Sequence, residues 1–162
     1  MTYGSSTLLT ARLATLADLP ALLTLLLDAK AQMQKQGFQQ WDERYPNRQV
    51  LVADINQARL WTLGTTVDAT ISIECDKDNS TWHLHRLMVR SVATHQGLAA
   101  KLLAMAEQAA RRNDVRRLEV TTHLKNLPMR YLLAQAGYTC GDVFLMPGRE
   151  AFGGFVSYQY FV

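Results

Sequence analysis

The sequence predicts an α/β fold, a mixed sheet with helices on both faces, and three observations carry that prediction. Strand-like and helix-like periods alternate in the order strand, two helices, three strands, helix, strand, helix, two strands. The three central strands follow one another through short turns, the pattern of an antiparallel meander. No repeat, low-complexity tract or linker divides the 162 residues, so one domain is expected over 1–162.

Each element has a local signal. "TLLTARLAT" (7–15) has strand character and meets Thr15-Leu16-Ala17-Asp18, a capping-box pattern. Pro20 falls in the opening turn of the next helix, where its missing N–H is not needed. Leu19, Leu22, Leu23, Leu26 and Leu27 form an apolar stripe at helical spacing, and this helix runs to about Gln36 before Gly37 stops it. "FQQWDERYPN" (38–47) is an aromatic-rich loop, and Pro46-Asn47 opens a second helix, "RQVLVADINQA". From Arg59 the period changes. "RLWTLG", "DATISIECD" and "TWHLHRLMV" are β-branched and aromatic segments separated by the turns "TTV" and "KDNS". The helix after Gly97 puts Leu98, Leu102, Met105, Ala106 and Ala109 on one face. A strand, "RLEVTT", a short helix from Asn126-Leu127-Pro128 and a break at Gly137 follow. The end reads as a hairpin, "YTCGDVFLM" and "FVSYQYFV", with "PGREAFGG" as its loop. That last strand either closes the sheet internally or pairs across a homodimer.

Composition excludes several classes. At 48% hydrophobic and 19% charged the chain is globular rather than disordered. "LPALLTLLLDA" is broken by Asp28 and Lys30, short of the ~20 apolar residues of a membrane span, so no membrane is expected. The start, "MTYGSSTLLTARLATL", lacks a basic region followed by an apolar core and a cleavage site, which implies a cytoplasmic protein. Cys75 and Cys140 have no metal or redox spacing; they read as buried or half-buried free thiols, with no metal expected. A net charge of +3 permits an anionic ligand without requiring one. Arg111, Arg112, Arg116 and Arg117 place cations at a helix C-terminus, where they complement the dipole. No aromatics interleave with them, so no nucleic-acid partner is expected.

The start of the helix at Gly97 is unusual. It has no Ser, Thr, Asp or Asn cap, so its N–H groups and positive dipole end are left for an anion such as a pyrophosphate. A glycine before a helix is common, and the surrounding residues add the specificity. The stretch "LMVRSVATHQGLAAKLL" (87–103) with "NLPMRYLLAQAGY" (126–138) resembles the Gcn5-related N-acetyltransferase (GNAT) family. Its signature, Arg/Gln-x-x-Gly-x-Gly/Ala after an apolar strand, falls on Thr94-x-x-Gly97-x-Ala99 with Val89 upstream. Its later Asn, Gly and aromatic fall on Asn126, Gly137 and Tyr138. "QWDERYPN" and "THLKNLPM" are similar to a bacterial subgroup of that family.

The resemblance implies a mostly antiparallel sheet of about seven strands in which a splayed parallel pair holds acetyl-CoA. Backbone groups of Leu87, Met88 and Val89 would pair with the pantetheine arm, and the Val89 N–H would receive the thioester oxyanion. The turn from His95 through Gln96, Gly97, Leu98, Ala99 and Ala100 would bind the pyrophosphate. Asn126 and Leu133 would face the cofactor. Two positions depart from the family pattern. Thr94 replaces the long Arg/Gln side chain, leaving Gln96 or Lys101 to substitute, and Leu133 stands where many members carry a general-acid Tyr. Tyr131 or solvent would then protonate the leaving thiolate.

Acyl transfer to an amine of pKa ~10.4 needs the neutral amine, at a cost of ~4–5 kcal/mol at pH 7. A general base lowers that cost. His123, ending the strand "RLEVTTH", ranks first as base, His85 second and Glu74 third. Period two puts His83, His85, Leu87 and Val89 on one strand face and Arg86 with Met88 on the other. Arg86 either clamps a substrate carboxylate or pairs with an internal acid. Trp41 and Tyr45, in the loop between the first two helices, either wall an acceptor pocket or form a satellite core. The expected activity is transfer of acetyl from acetyl-CoA to a small-molecule or peptide amine in a ternary complex, releasing coenzyme A. A non-catalytic acyl-CoA-binding module is the alternative, and Thr94 and Leu133 are its support.

Overall fold

A seven-stranded sheet runs through the computed structural model, which describes residues 10–162. Its strands are β1 (Arg12–Leu13), β2 (Leu60–Leu63), β3 (Ala69–Cys75), β4 (Thr81–Val89), β5 (Arg117–His123), β6 (Thr139–Leu145) and β7 (Gly154–Phe161). Four helices join them: α1 (Leu19–Lys35), α2 (Arg48–Asn56), α3 (Leu98–Arg112) and α4 (Leu127–Gln135). The spatial order is β1-β2-β3-β4-β5-β7-β6. Among the described residues only β4 and β5 are parallel neighbours. The element order and the mixed sheet agree with the sequence expectation. Residues 7–9 of the first expected strand, and much of the segment read for a secretory signal, lie outside the described residues. No helix among the described residues is long and apolar enough to cross a membrane.

The C-terminal strand closes the sheet from within. β7 pairs with β5 along Arg117–His123 on one edge and with β6 on the other, so neither edge is left for a second copy. β6 is the outer strand, exposed along its length. That exposure includes Cys140, and Cys75 at the end of β3 is exposed too. Both thiols are therefore surface groups rather than the buried ones expected, because one sits on an edge strand and the other beside a turn.

Two apolar layers sandwich the left and central sheet. On one face α3 and α4 bury Leu102, Leu103, Ala106 and Leu133 against Ile71, Leu84, Leu118 and Val156. On the other, α1 and α2 bury Leu22, Leu26 and Leu51 against Leu60 and Met88. The stripe of α1 is rotated from the expected one. Leu25 and Ala29 are buried, whereas Leu27 is 70% exposed. An all-leucine run cannot fix its own phase, and the inward acid-free side wins. In α3 the buried set includes Leu103 and Ala110, with Met105 and Ala109 at its margin. Asn47 caps α2 by accepting the Val50 N–H at 3.0 Å. Asn47→Ala should cost about 1 kcal/mol, lowering the thermal midpoint by a few degrees in a melting experiment.

Past α1 and α2 the same sheet face carries no helix. Register places Glu74 beside His83, His83 beside Glu119, and Glu119 beside Gln159, all on one face. Ser72 with His85, and Thr121 with Ser157, form the adjacent rows. His83, His85, Glu119, Thr121, Ser157 and Gln159 are all half-buried. This is a polar trough floored by the central strands.

Candidate active site

The parallel strands part midway. Their ladder runs only from Thr81–Arg117 to Leu84–Val120, while β4 continues to Val89 and β5 to His123. A bulge in β4 lies just past the end of that ladder: Thr70 pairs with Met88 and Ser72 with His85, so Arg86 and Leu87 together oppose Ile71. Arg86 takes up the extra residue in the left-handed region, at φ 51°. The bulge also overturns the expected alternation. His83 and His85 stay on the polar face, but Leu87 and Val89 pack into the α3–α4 core, and Arg86 and Met88 turn toward α2. Period two cannot anticipate a residue inserted into the strand.

A cleft of about 900 Å³ opens where the strands separate, bounded by α1, the β4 end, the α3 N-terminus and α4. Leu87, Met88 and Val89 line it from the sheet. The Arg90 N–H donates to Asp68 O at 2.8 Å, toward β3, so strand alternation directs the Val89 N–H away from β3. The Val89 carbonyl accepts the Gln32 amide at 2.8 Å. Thr94, His95, Gly97, Leu98, Ala99 and Ala100 line the helix end, and Gln96 sits exposed in the same turn. Both His95 (φ 65°) and Gly97 (φ 73°) are left-handed, a backbone form that gathers successive N–H groups into an anion-binding concavity. No side chain caps α3. The Thr94 hydroxyl is turned inward, donating to Ser91 O. Asp28 of α1 accepts from both the Ser91 N–H and hydroxyl, fastening this loop to α1.

Across the cleft, Asn126 accepts the Met129 N–H as the cap of α4 and donates to the Thr122 hydroxyl at 3.0 Å. It lines the cleft while its amide holds the β5–α4 corner. Tyr131 stands on the rim, 70% exposed. Leu133 does not line the cleft. It is fully buried in the α3–α4 core, which corrects its expected place beside the cofactor.

The first-ranked base is also corrected. His123 is buried, and both ring nitrogens are occupied: Nδ1 accepts the Lys125 N–H, so Nε2 carries the proton toward Phe152 O. Its ring stacks on Phe38 and meets Phe155 edge-on. This is a histidine that ties loops together, with no lone pair to offer. His85 differs. It is the first residue of β4 beyond the ladder on the trough face, half-exposed, with Nε2 3.5 Å from Glu74 Oε2. Burial and the adjacent Arg86 charge push its pKa below the ordinary imidazole value, and Glu74 opposes them. These influences favour the neutral imidazole at pH 7.

Arg86 is fully engaged within the protein. Its Nε and Nη2 donate to both Asp54 oxygens at 2.7 and 2.8 Å, and Nη1 donates to the Tyr45 hydroxyl at 2.7 Å. The Ser72 hydroxyl also donates to Asp54. The internal-acid alternative holds, and the substrate-carboxylate role falls. Trp41 is buried in the α1–α2 core, so it belongs to the satellite core rather than to a pocket wall. Tyr45 is half-buried, with the Arg149 guanidinium over its ring at 4.8 Å. Arg149 also donates to Gln40 O, and Gln40 accepts from Thr122 and the His123 N–H. Sequence reasoning missed Asp54, Gln32 and Arg149. Only Asp54 left a signal, an acid three residues after Leu51 on the inward phase of α2. Among the described residues no group of three or more His, Cys, Asp or Glu is placed to hold a metal ion.

The sequence profile of the acetyltransferase (GNAT) family matches residues 20–138, from α1 to the end of α4 and its glycine turn. The chain belongs to the GNAT acetyltransferase family. Solved structures share the fold. A GNAT acetyltransferase from Streptococcus agalactiae superposes with a TM-score of 0.79 at 21% identity, covering 95% of each chain. A ribosomal-protein-alanine N-acetyltransferase from Brucella melitensis gives 0.75 at 22%, covering 95% of this chain and 100% of that one. The PaiA N-acetyltransferase from Thermoplasma acidophilum, solved with coenzyme A, gives 0.75 at 14%, covering 94% and 99%. At these identities the likeness is one of fold. Among curated proteins, none matches the sequence. Within this GNAT domain the parted strands and the uncapped start of α3 border one cleft.

Proposed function

We propose that this GNAT domain transfers an acetyl group from acetyl-CoA to a primary amine of a small molecule or peptide. The observation that carries the reading is the parting of β4 and β5, which opens the cleft beside the uncapped start of α3. Acetyl-CoA lies in the cleft with its pyrophosphate on the uncapped start of α3 and its amides along Leu87–Val89. The amine comes from the trough face, where His85 and Thr121 flank the opening.

The chain's own groups then divide the work. His85, held beside Glu74, takes a proton from the ammonium, directly or through water. The neutral nitrogen attacks the thioester carbon, and the Val89 N–H donates to the oxyanion. The C–S bond breaks as the amide forms, the amide nitrogen sheds its second proton to solvent water, and coenzyme A leaves as a thiolate. Thiol pKa values near ~8.5 make that a good leaving group, which solvent or Tyr131 on the rim can protonate. A carboxylate–histidine pair open to solvent on the acceptor side supports catalysis over a binding-only module.

Titration calorimetry with acetyl-CoA, and with CoA lacking the 3′-phosphate, tests the cofactor. Micromolar binding of acetyl-CoA is expected, followed by thiol release with members of an amine panel. Binding without turnover across that panel would favour the non-catalytic module. Absence of binding would remove the acetyltransferase reading.

A further inference from the structure

The Arg86–Asp54 pair is buried, and nothing in the acetyl-transfer scheme uses it. The side chains are 8% and 3% exposed. Four hydrogen bonds converge on it, from α2, β3, β4 and the loop after α1. Burying two charges has a desolvation cost, and hydrophobic residues of similar volume often hold a fold equally well. The position is more specific than that. Arg86 is the bulge residue itself, in left-handed backbone that a side chain of its size rarely adopts. Its neighbours are His85 on one side and Leu87, at the cleft, on the other.

We infer that Arg86, locked to Asp54 and Tyr45, is a positioning residue for His85: it fixes the bulge that sets His85 at the gap and keeps a permanent positive charge beside the ring. The inference rests on the acetyltransferase reading for its purpose, though not for its measurement. Because the guanidinium is held by a bidentate carboxylate, it cannot swing away from the imidazole as a surface arginine would. Its field disfavours the imidazolium and so keeps the base free. Every charged neighbour enters the balance. Glu74 faces His85 from β3, with Arg59 behind it at 4.0 Å. His83 stacks along β4 with ring centroids 6.2 Å apart, and Glu119 pairs with His83 from β5. Asp54, from α2, acts against Arg86.

Histidine-detected NMR titration of the full chain, without cofactor or acceptor, tests this. Arg86→Gln should raise the His85 midpoint by about 0.5 unit or more, a threefold gain in proton affinity. Arg86→Lys, which retains the charge, should stay near the native midpoint. Since Arg86→Gln leaves Asp54 buried without its partner, Arg86→Gln/Asp54→Asn is measured beside it; its midpoint should fall between the native one and that of Arg86→Gln. In the native chain and these variants, the acid limb of kcat/KM against pH should move with the NMR midpoint. An unchanged His85 midpoint in both glutamine variants, with the native fold retained, would overturn the inference even if acetyl transfer proceeds. A shifted midpoint in a chain that transfers no acetyl group would leave the coupling standing and remove the acetyltransferase reading.

Discussion

Gly97→Glu weakens acetyl-CoA binding by roughly 30- to 150-fold in titration calorimetry while leaving the fold intact. Two terms separate cleanly at this position. A Cβ built on Gly97 meets nothing within 4 Å, so no neighbour must move. The backbone is at φ 73°, and any L-residue there is strained by about 1–2 kcal/mol. That strain exists with or without ligand, so it falls on folding and not on affinity. The loss of binding comes from charge. A carboxylate at the start of α3 occupies the place of the anion and repels a pyrophosphate by about 2–3 kcal/mol at an effective dielectric of ~20 and ~10 Å. That is a weakening of roughly 30- to 150-fold. Gly97→Ala is the control, with a lower thermal midpoint and nearly native affinity. Native affinity in the glutamate variant would place the anion elsewhere.

His85→Ala lowers kcat by about 10²–10⁴ and leaves acetyl-CoA binding within a fewfold of native. The pH profile is the sharper reading. Burial and Arg86 hold the His85 pKa below the ordinary imidazole value, so the native acid limb should fall below ~6.5 and vanish in the alanine variant. The same depression has a sign for stability. Between the folded and unfolded pKa values the unfolded chain binds more protons, so stability declines as pH drops below ~6.5 and is restored above it. Loss of kcat on changing His123 with His85 intact, at unchanged thermal stability, would reverse this assignment.

The sequence made the architecture legible because its signals are local. Gly37, Asn47 and Gly97 punctuate the helices, and "TTV" and "KDNS" separate strands of matching period. The turn before α3 was legible for the same reason: a helix without a capping side chain is visible in the letters. The chemistry was harder to read. One inserted residue at Arg86 reverses the faces of Leu87 and Val89 relative to His85, and bulges follow from pairing rather than composition. His123 stood at the expected strand end, but its partners, Phe38, Phe152 and Phe155, come from elsewhere in the chain. Leu133 followed a family position, while the packing of α4 on α3 decided where its side chain points.

α1 touches both the cleft and the loop that follows it. Its Gln32 holds the Val89 carbonyl, Asp28 holds the loop before α3, and Ala29, Met33 and Gln36 wall the cleft. Two residues after its end begins the loop that carries Gln40 to the end of β5 and Tyr45 to Arg86. Gln32 is bonded to the very carbonyl that borders the cleft, so a change there on cofactor binding would be felt by the whole helix. Any such change reaches the loop of residues 38–47 through a rigid rod rather than a flexible tether. Thermodynamic linkage then requires reciprocity: whatever factor acetyl-CoA contributes to acceptor affinity, the acceptor returns to acetyl-CoA.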